Sequence, residues 1–184
     1  MKKIAVLFSG TGSNLKYILE HLHGKAFEVV VAITNKPDAG GIAFAKAYDV
    51  PWEMIDSSEF NQREAFDSEL VSALAYYKPD ITVLAGFMRI LTPVFTEQIK
   101  AINLHPSLLP LHKGLDAIQR SYEDENETGG VTIHWVSSEL DGGEVILQKE
   151  IDKDSMSFEA YDTQIRVMEK EALIEAIKYV LEQK

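Results

Sequence analysis

Ile4-Ala5-Val6-Leu7-Phe8-Ser9-Gly10-Thr11-Gly12-Ser13-Asn14-Leu15 follows Lys2-Lys3 at the start of the chain. An unbroken apolar run without alternation describes a strand buried on both faces, as in parallel sheets. A glycine-punctuated polar turn comes next, and the apolar residues from Leu15 to Leu22 then have helical spacing. Strand, glycine-rich turn, helix is the first unit of an open α/β fold of the nucleotide-binding kind. The turn amides and the helix N-terminus together make an anion site. What is missing narrows the anion. A dinucleotide fingerprint needs a third glycine where Leu15 stands, and an acid about 20 residues further on, at the end of the second strand. That strand, Val29-Val30-Val31-Ala32-Ile33, ends in Thr34-Asn35. No Gly-Lys-Ser/Thr follows the turn, so a P-loop is absent too. NAD and ATP are disfavoured. Two readings stay open: a simpler phosphate, or a tight turn with Ser13 or Asn14 as helix N-cap.

The rest of the chain extends the pattern. A short helix over 42–48 and a short strand over 51–55 follow, and Pro51 argues for a place near the sheet edge. Asn61 to Tyr77 reads as an amphipathic helix with Phe66, Leu70, Leu74 and Tyr77 toward the core. Arg63 sits in its first turn, the unfavourable end for a cation; it is either solvated surface or a ligand for a carboxylate. Ile81 to Ala85 is a fourth buried strand, with Gly86-Phe87-Met88-Arg89-Ile90-Leu91 at its C-terminal end. Pro93 opens a helix to Lys100, and a fifth strand carries Asn103 and His105. Open α/β sheets bind ligands beyond the C-terminal ends of their strands. The expected architecture is therefore an open, mostly parallel twisted sheet with helices on both faces. The segments after strands one, four and five are expected along one edge of it. Asp116 to Glu123 reads as a helix, Val131–Val136 and Val145–Lys149 as a β-hairpin-like extension, and Ser157 caps a long last helix reaching about Glu182. No repeat, low-complexity stretch or linker interrupts it, so we expect a single domain over 1–184.

The densest chemistry lies in Asn103-Leu104-His105-Pro106-Ser107-Leu108-Leu109-Pro110. On a strand, Asn103 and His105 point to the same face, which then offers an amide donor, an amide acceptor and an imidazole at one spot. Leu140-Asp141-Gly142-Gly143 can bring a carboxylate to the histidine. Were an amine to attack an acyl carbon at this spot, Asn103 and a protonated His105 would be suitable donors to the tetrahedral oxyanion. A carboxylate at Asp141 favours the imidazolium, and Asp141 or a bound water can relay the proton to a leaving nitrogen. No nucleophilic side chain is needed. Of the other histidines, His21 and His23 read as surface, and His112 and His134 as supporting groups or structural hydrogen bonders. Trp52 and Trp135 read as packing.

Composition sets outer limits. A chain of 184 residues with 46% hydrophobic and 26% charged residues is globular. No run approaches the roughly 20 apolar residues of a membrane helix, and Ile4–Phe8 is too short for a signal-peptide core, so a cytoplasmic setting with no membrane partner is expected. With no cysteine, thiol catalysis and cysteine-based metal sites are excluded; no metal ligands of credible spacing appear, and none is expected. A net charge of −11 argues against a nucleic-acid partner but not against a small anion held by backbone amides.

Taken together, Leu7 to Leu15, Ala85 to Leu91, Ile102 to Pro110 and Glu139 to Gly143 resemble the phosphoribosylglycinamide formyltransferases, and the resemblance covers essentially the whole chain. It implies a Rossmann-like formyltransferase fold. It also implies direct transfer of the formyl group of 10-formyltetrahydrofolate, a co-substrate, to the amine of glycinamide ribonucleotide in purine biosynthesis. By the family pattern Gly12, Ser13, Asn14 and Glu171 hold the nucleotide. Arg63 and Met88, Arg89, Ile90 and Leu91, with Asn103, hold the folate. Asn103 and His105 meet the formyl group, and Asp141 pairs with His105. The family admits a homodimer; the residues themselves do not fix the assembly. Two positions depart from it: Asp116 stands where a histidine is common, and Met168 where Gln or Lys is usual, so one phosphate contact is weakened. The wider formyl-folate enzymes share the Asn-x-His-Pro-Ser-Leu-Leu-Pro block. A methionyl-tRNA formyltransferase normally adds a basic C-terminal domain, and a formyltetrahydrofolate deformylase an N-terminal one; neither is expected on length. A noncatalytic nucleotide-binding module needs the glycine turn but not Asn103, His105 and Asp141 together.

Overall fold

The computed structural model describes residues 1–183. Its elements are β1 (Lys2–Phe8), α1 (Ser13–His21), β2 (Phe27–Thr34), α2 (Ile42–Ala47), β3 (Trp52–Met54), α3 (Arg63–Tyr77), β4 (Ile81–Leu84), α4 (Pro93–Thr96), β5 (Ala101–His105), α5 (Ala117–Glu123), β6 (Thr128–Trp135), β7 (Val145–Asp152) and α6 (Phe158–Glu182). The strand order β3-β2-β1-β4-β5-β6-β7 is that of an open α/β sheet, as the apolar runs require. The chain divides into two compact units, Met1–Ile102 and the residues from Asn103 onward.

In the first unit β1 pairs in parallel with both β2 and β4, and β2 with β3. Ile4 to Phe8 are all buried, which is why this run is continuous rather than alternating. β3 is the edge strand; the carbonyl of Pro51 accepts the Ala32 N–H at 2.9 Å, so a residue with no N–H still serves the ladder. Three details differ from the sequence expectation. α1 starts at Ser13, and its N-cap is Gly12 in the left-handed region (φ 77), with no side-chain cap bond. Ser13 and Asn14 are therefore helical residues rather than caps. Packing is the reason: a Cβ on Gly12 would stand 2.4 Å from Gly41 Cα, and the Gly41 N–H donates to Gly10 O at 3.2 Å. α4 ends at Thr96 rather than Lys100, and the Lys100 carbonyl accepts the Thr82 N–H of β4 at 3.1 Å. A single 3-10 turn, Ser57–Glu59, capped by Asp56, had no signal in the apolar pattern.

In the second unit β6 and β7 form an antiparallel hairpin from Thr128↔Asp152 to His134↔Val145. It is longer than its alternating core, and a register shift falls between Ile133 and His134. The Ser-Leu-Leu-Pro segment is stitched to this hairpin: the buried Thr132 hydroxyl donates to Ser107 O (2.7 Å) and accepts the Leu109 N–H (3.0 Å). α6 is capped by Ser157, whose Oγ accepts the Ala160 N–H at 3.1 Å. Tyr161, Ile165, Glu169, Ala172, Leu173, Ala176, Ile177 and Leu181 form its buried stripe, the helical repeat of a core-facing face. Tyr161 meets Ser121 Oγ through its hydroxyl at 2.8 Å. The room for that hydroxyl comes from Gly129, where any Cβ would overlap it.

Gly129→Ala is accordingly expected to cost about 1–3 kcal/mol by overpacking. Thermal melting measures it, at roughly 2–4 °C per kcal/mol for a chain of this size; an unchanged melting temperature would remove this account of Gly129.

Candidate functional site

β5 delivers Asn103 and His105, and β6 delivers His134. Asp141 comes from the turn between the hairpin strands, in the left-handed region (φ 51) that Asp tolerates better than most residues. His105, His134 and Asp141 are all buried. Asp141 Oδ2 lies 3.5 Å from His105 Nδ1, and Asp141 Oδ1 lies 3.8 Å from His134 Nε2. The Gly114 N–H donates to Asp141 Oδ2 at 2.9 Å. Asn103 and His105 thus meet the same carboxylate–histidine pair, as their spacing along a strand predicts.

The two histidines do different work, and their carbonyl partners show how. A carbonyl only accepts. His134 Nδ1 lies 2.9 Å from Trp135 O, so Nδ1 carries the hydrogen, and Nε2 is left to accept Asn103 Nδ2–H at 3.2 Å. Burial pushes the His134 pKa down, with the His105 and Lys113 charges adding to it, against the Trp135 carbonyl and Asp141. His134 is therefore neutral near pH 7. A register shift lies beside it, between Ile133 and His134, and bulges commonly occur next to sites. His105 is the reverse case. Its Nε2–H donates to His112 O at 2.8 Å, so only Nδ1 is left toward Asp141.

The loop that supplies that carbonyl is itself held. His112, in the left-handed region (φ 55), places Nε2 2.6 Å from Asp124 Oδ2. Asp124 Oδ1 takes Lys153 Nζ at 2.5 Å, and Lys153 also donates to Ser121 O. Burial raises the Asp124 carboxyl, but hydrogen bonds from Lys153 and His112 outweigh it and hold it well below the usual carboxylate range. Arg120 donates to Lys113 O and Leu115 O. Asp124 and Lys153 carried no sequence signal beyond a polar run and a single lysine. Asp116 is exposed, in the left-handed region before α5.

In the first unit the turn after β1 and the segment after β4 lie side by side. The Ser9 N–H donates to Gly86 O (3.0 Å), and the Met88 N–H donates to Ser9 Oγ (2.8 Å). At the turn, Asn14 Oδ1 is buried and accepts no hydrogen bond, and α1 presents its first amides, which lack helical partners. Asn35, where a dinucleotide site would carry an acid, is buried and accepts the Ser9 hydroxyl at 2.5 Å. In the segment 87–92, Thr92 gives its N–H and its hydroxyl to buried Asp67, both at 2.7 Å. Between these anchors Met88 and Ile90 are 66% and 46% exposed, and Leu91 is buried. The Arg89 guanidinium lies over the Phe66 ring at 4.1 Å, with Nε buried and unpaired. Arg63 is exposed at the start of α3. On α6, Glu171 is exposed and Met168 half-buried. Outside these clusters His23 accepts the Val29 N–H, a structural role. Trp52 is 38% exposed, with Lys46 Nζ 5.1 Å from its ring. Among the described residues no helix is long and apolar enough to cross a membrane.

Residues 2–177 match the formyl transferase family. The Escherichia coli phosphoribosylglycinamide formyltransferase is 41% identical over 80% of this chain and 72% of its own length. The Bacillus subtilis enzyme of that name is 31% identical over 98% and 95%. The crystal structure of phosphoribosylglycinamide formyltransferase from Campylobacter jejuni superposes with a TM-score of 0.96 at 50% identity, covering 98% of this chain and 97% of that one.

His134 gives a pH test. Its folded pKa lies below its unfolded value of about 6.5. As pH falls through 6.5 the unfolded chain takes up a proton that the folded one refuses, so stability falls. Denaturant unfolding at pH 7.5 and pH 5 should show that loss, and His134→Gln should reduce it. An equal loss in both proteins would contradict the neutral assignment.

Proposed function

We propose that this chain, which belongs to the formyl transferase family as a phosphoribosylglycinamide formyltransferase, transfers its formyl group by direct attack at a centre made of Asn103, His105 and Asp141. The reaction moves the formyl group of 10-formyltetrahydrofolate to the amine of glycinamide ribonucleotide, a step of purine biosynthesis. The amine attacks the formyl carbon and an oxyanion develops on the formyl oxygen. Asn103 donates to it through the N–H not engaged by His134. Because His105 Nε2–H is committed to His112 O, the nitrogen that donates is Nδ1. Nδ1 carries a hydrogen alongside Nε2–H only in the imidazolium, so the active ring is charged, with the Asp141 carboxylate 3.5 Å away as its counter-ion. Asp141, directly or through water, carries the proton from the attacking amine toward the leaving folate nitrogen. No covalent enzyme intermediate forms.

The binding roles follow the family pattern. Gly12, Ser13 and Asn14 hold the nucleotide phosphate with the amides of α1, supported by the unpaired Asn14 Oδ1 nearby, which accepts from a ligand hydroxyl or amide. Glu171 completes the nucleotide side. Arg63 and Met88 to Leu91 hold the folate, supported by two exposed apolar side chains on a backbone anchored at both ends. A homodimer and a cytoplasmic setting complete the proposal.

The committed Nε2–H of His105 beside Asp141 carries the proposal. The test is formyl-folate consumption with and without glycinamide ribonucleotide: loss is expected only with the nucleotide, whereas equal loss without it would mean hydrolysis. His105→Ala and Asn103→Ala should each lower kcat by about 10²–10³, the usual effect of one oxyanion donor. Near-full activity in His105→Ala would overturn the assignment.

A further inference from the structure

We propose that Ser9 is a positioning residue through which the nucleotide turn and the folate-binding segment share one buried anchor, so that filling either site tightens binding at the other. This rests on the binding roles given above for Gly12–Asn14 and Met88–Leu91.

Ser9 is buried, and three hydrogen bonds engage its N–H and its hydroxyl. Its N–H goes to Gly86 O at 3.0 Å. Its Oγ accepts the Met88 N–H at 2.8 Å. An amide can only donate, so the hydroxyl hydrogen goes to Asn35 Oδ1, at 2.5 Å. Asn35 is fixed in turn: its Nδ2 donates to Ser57 Oγ at 3.4 Å, and its carbonyl accepts the Ser57 N–H and hydroxyl at 3.2 and 3.3 Å. The chain Ser57–Asn35–Ser9–Met88 therefore ties β2, β1 and the segment after β4 together at their C-terminal ends.

The placement of this chain suggests coupling rather than plain support. Ser9 is the residue before Gly10, so it fixes the entry to the nucleotide turn. Gly10 O is held by the Gly41 N–H, which leaves the turn little room to shift without moving Ser9. On the other side, the hydrogen bond to Ser9 Oγ begins the segment whose far end Asp67 holds through Thr92. Met88 has an exposed side chain but a fixed amide. A ligand that orders Gly10 to Asn14 also orders Ser9, and through it the Met88 amide. The second ligand then has less backbone to immobilise, and cooperativity arises without a large change of shape. Thermodynamic linkage makes the effect equal in both directions.

Tetrahydrofolate carries no formyl group, so it and glycinamide ribonucleotide form a ternary complex that cannot react. Titration calorimetry gives the tetrahydrofolate Kd with and without saturating nucleotide. In the wild-type protein the nucleotide is expected to tighten tetrahydrofolate about 5-fold or more, the lower end of usual couplings. In Ser9→Ala the ratio should fall to about 1, while each ligand alone binds within about 3-fold of wild type. A merely structural role would lower the melting temperature and leave the ratio unchanged. A second measurement needs no variant: hydrogen exchange of the Met88 amide in the wild-type protein should slow when glycinamide ribonucleotide alone is added. A wild-type ratio of 1, an unchanged ratio in Ser9→Ala, or Met88 exchange indifferent to the nucleotide would each overturn the proposal while leaving the binding roles in place. Failure of the wild-type protein to bind either compound would overturn both.

Discussion

The hydrogen bond from His105 Nε2 to the His112 carbonyl is the constraint on which the proposed transfer chemistry depends. An imidazole has two nitrogens, and this bond commits one of them. What remains is Nδ1 beside Asp141, so whether the ring can donate to a substrate oxygen becomes a question of its charge. The carbonyl must therefore be held in place, and its support is expensive. His112 sits in a backbone region that few side chains occupy. Lys153, almost fully buried, is stable there only because Asp124 and the Ser121 carbonyl receive it. Buried ion pairs of this kind add little net stability compared with apolar packing. The role that fits the Lys153–Asp124–His112 chain is geometric: it fixes the carbonyl that receives His105, while Arg120 and Gly114 hold the neighbouring residues of the same loop.

Two histidines face one carboxylate, and the site separates their roles by environment. Burial pushes His134 toward the neutral form, and a charge on His105 reinforces that. A neutral ring with its hydrogen on Nδ1 is an acceptor at Nε2, which fixes the Asn103 amide with Nδ2 toward the ring. A second imidazolium here would repel His105 and turn a donor toward the Asn103 donor. The pairing of one buried, neutral histidine with one histidine beside a carboxylate is a familiar way of assigning different proton states to like groups. Asp141 can then act as counter-ion to one ring.

The strands were readable because burial on two faces leaves an apolar run, unbroken in Ile4–Phe8 and interrupted only by Thr82 in Ile81–Leu84, and the last helix because Ser157 and a helical repeat mark its start and its buried face. The grouping proposed as the transfer centre was readable in part because Asn103 and His105 lie two apart on a strand, a spacing that survives whatever the loops do. What could not be read depended on tertiary approach. Gly12 rather than Ser13 caps α1 because Gly41 packs against it from about thirty positions away. His134 meets Asn103 from the neighbouring strand, beside a register shift between Ile133 and His134 that the apolar pattern does not show. Asp124 and Lys153 look like ordinary surface charges until the fold buries them together. Asn35 looked like a missing acid, and the structure gives it a different task.

That task bears on how the nucleotide end of the sheet works. In a dinucleotide site the residue ending the second strand is free to meet a ribose. Here it is spent on Ser9, buried, with both its amide ends occupied. The turn therefore has backbone amides and the Asn14 oxygen to offer, a set suited to a phosphate and its neighbouring hydroxyls rather than to a second nucleoside. The same bond fixes the start of the segment carrying Met88 and Ile90. Exposed apolar side chains on mobile loops bind weakly, since ordering the loop offsets the contact; a backbone tied at both ends leaves only part of that cost to binding, and that remainder is what the two ligands share. Buried polar bonds, rather than the exposed residues themselves, are what suit this stretch to the folate role proposed for it.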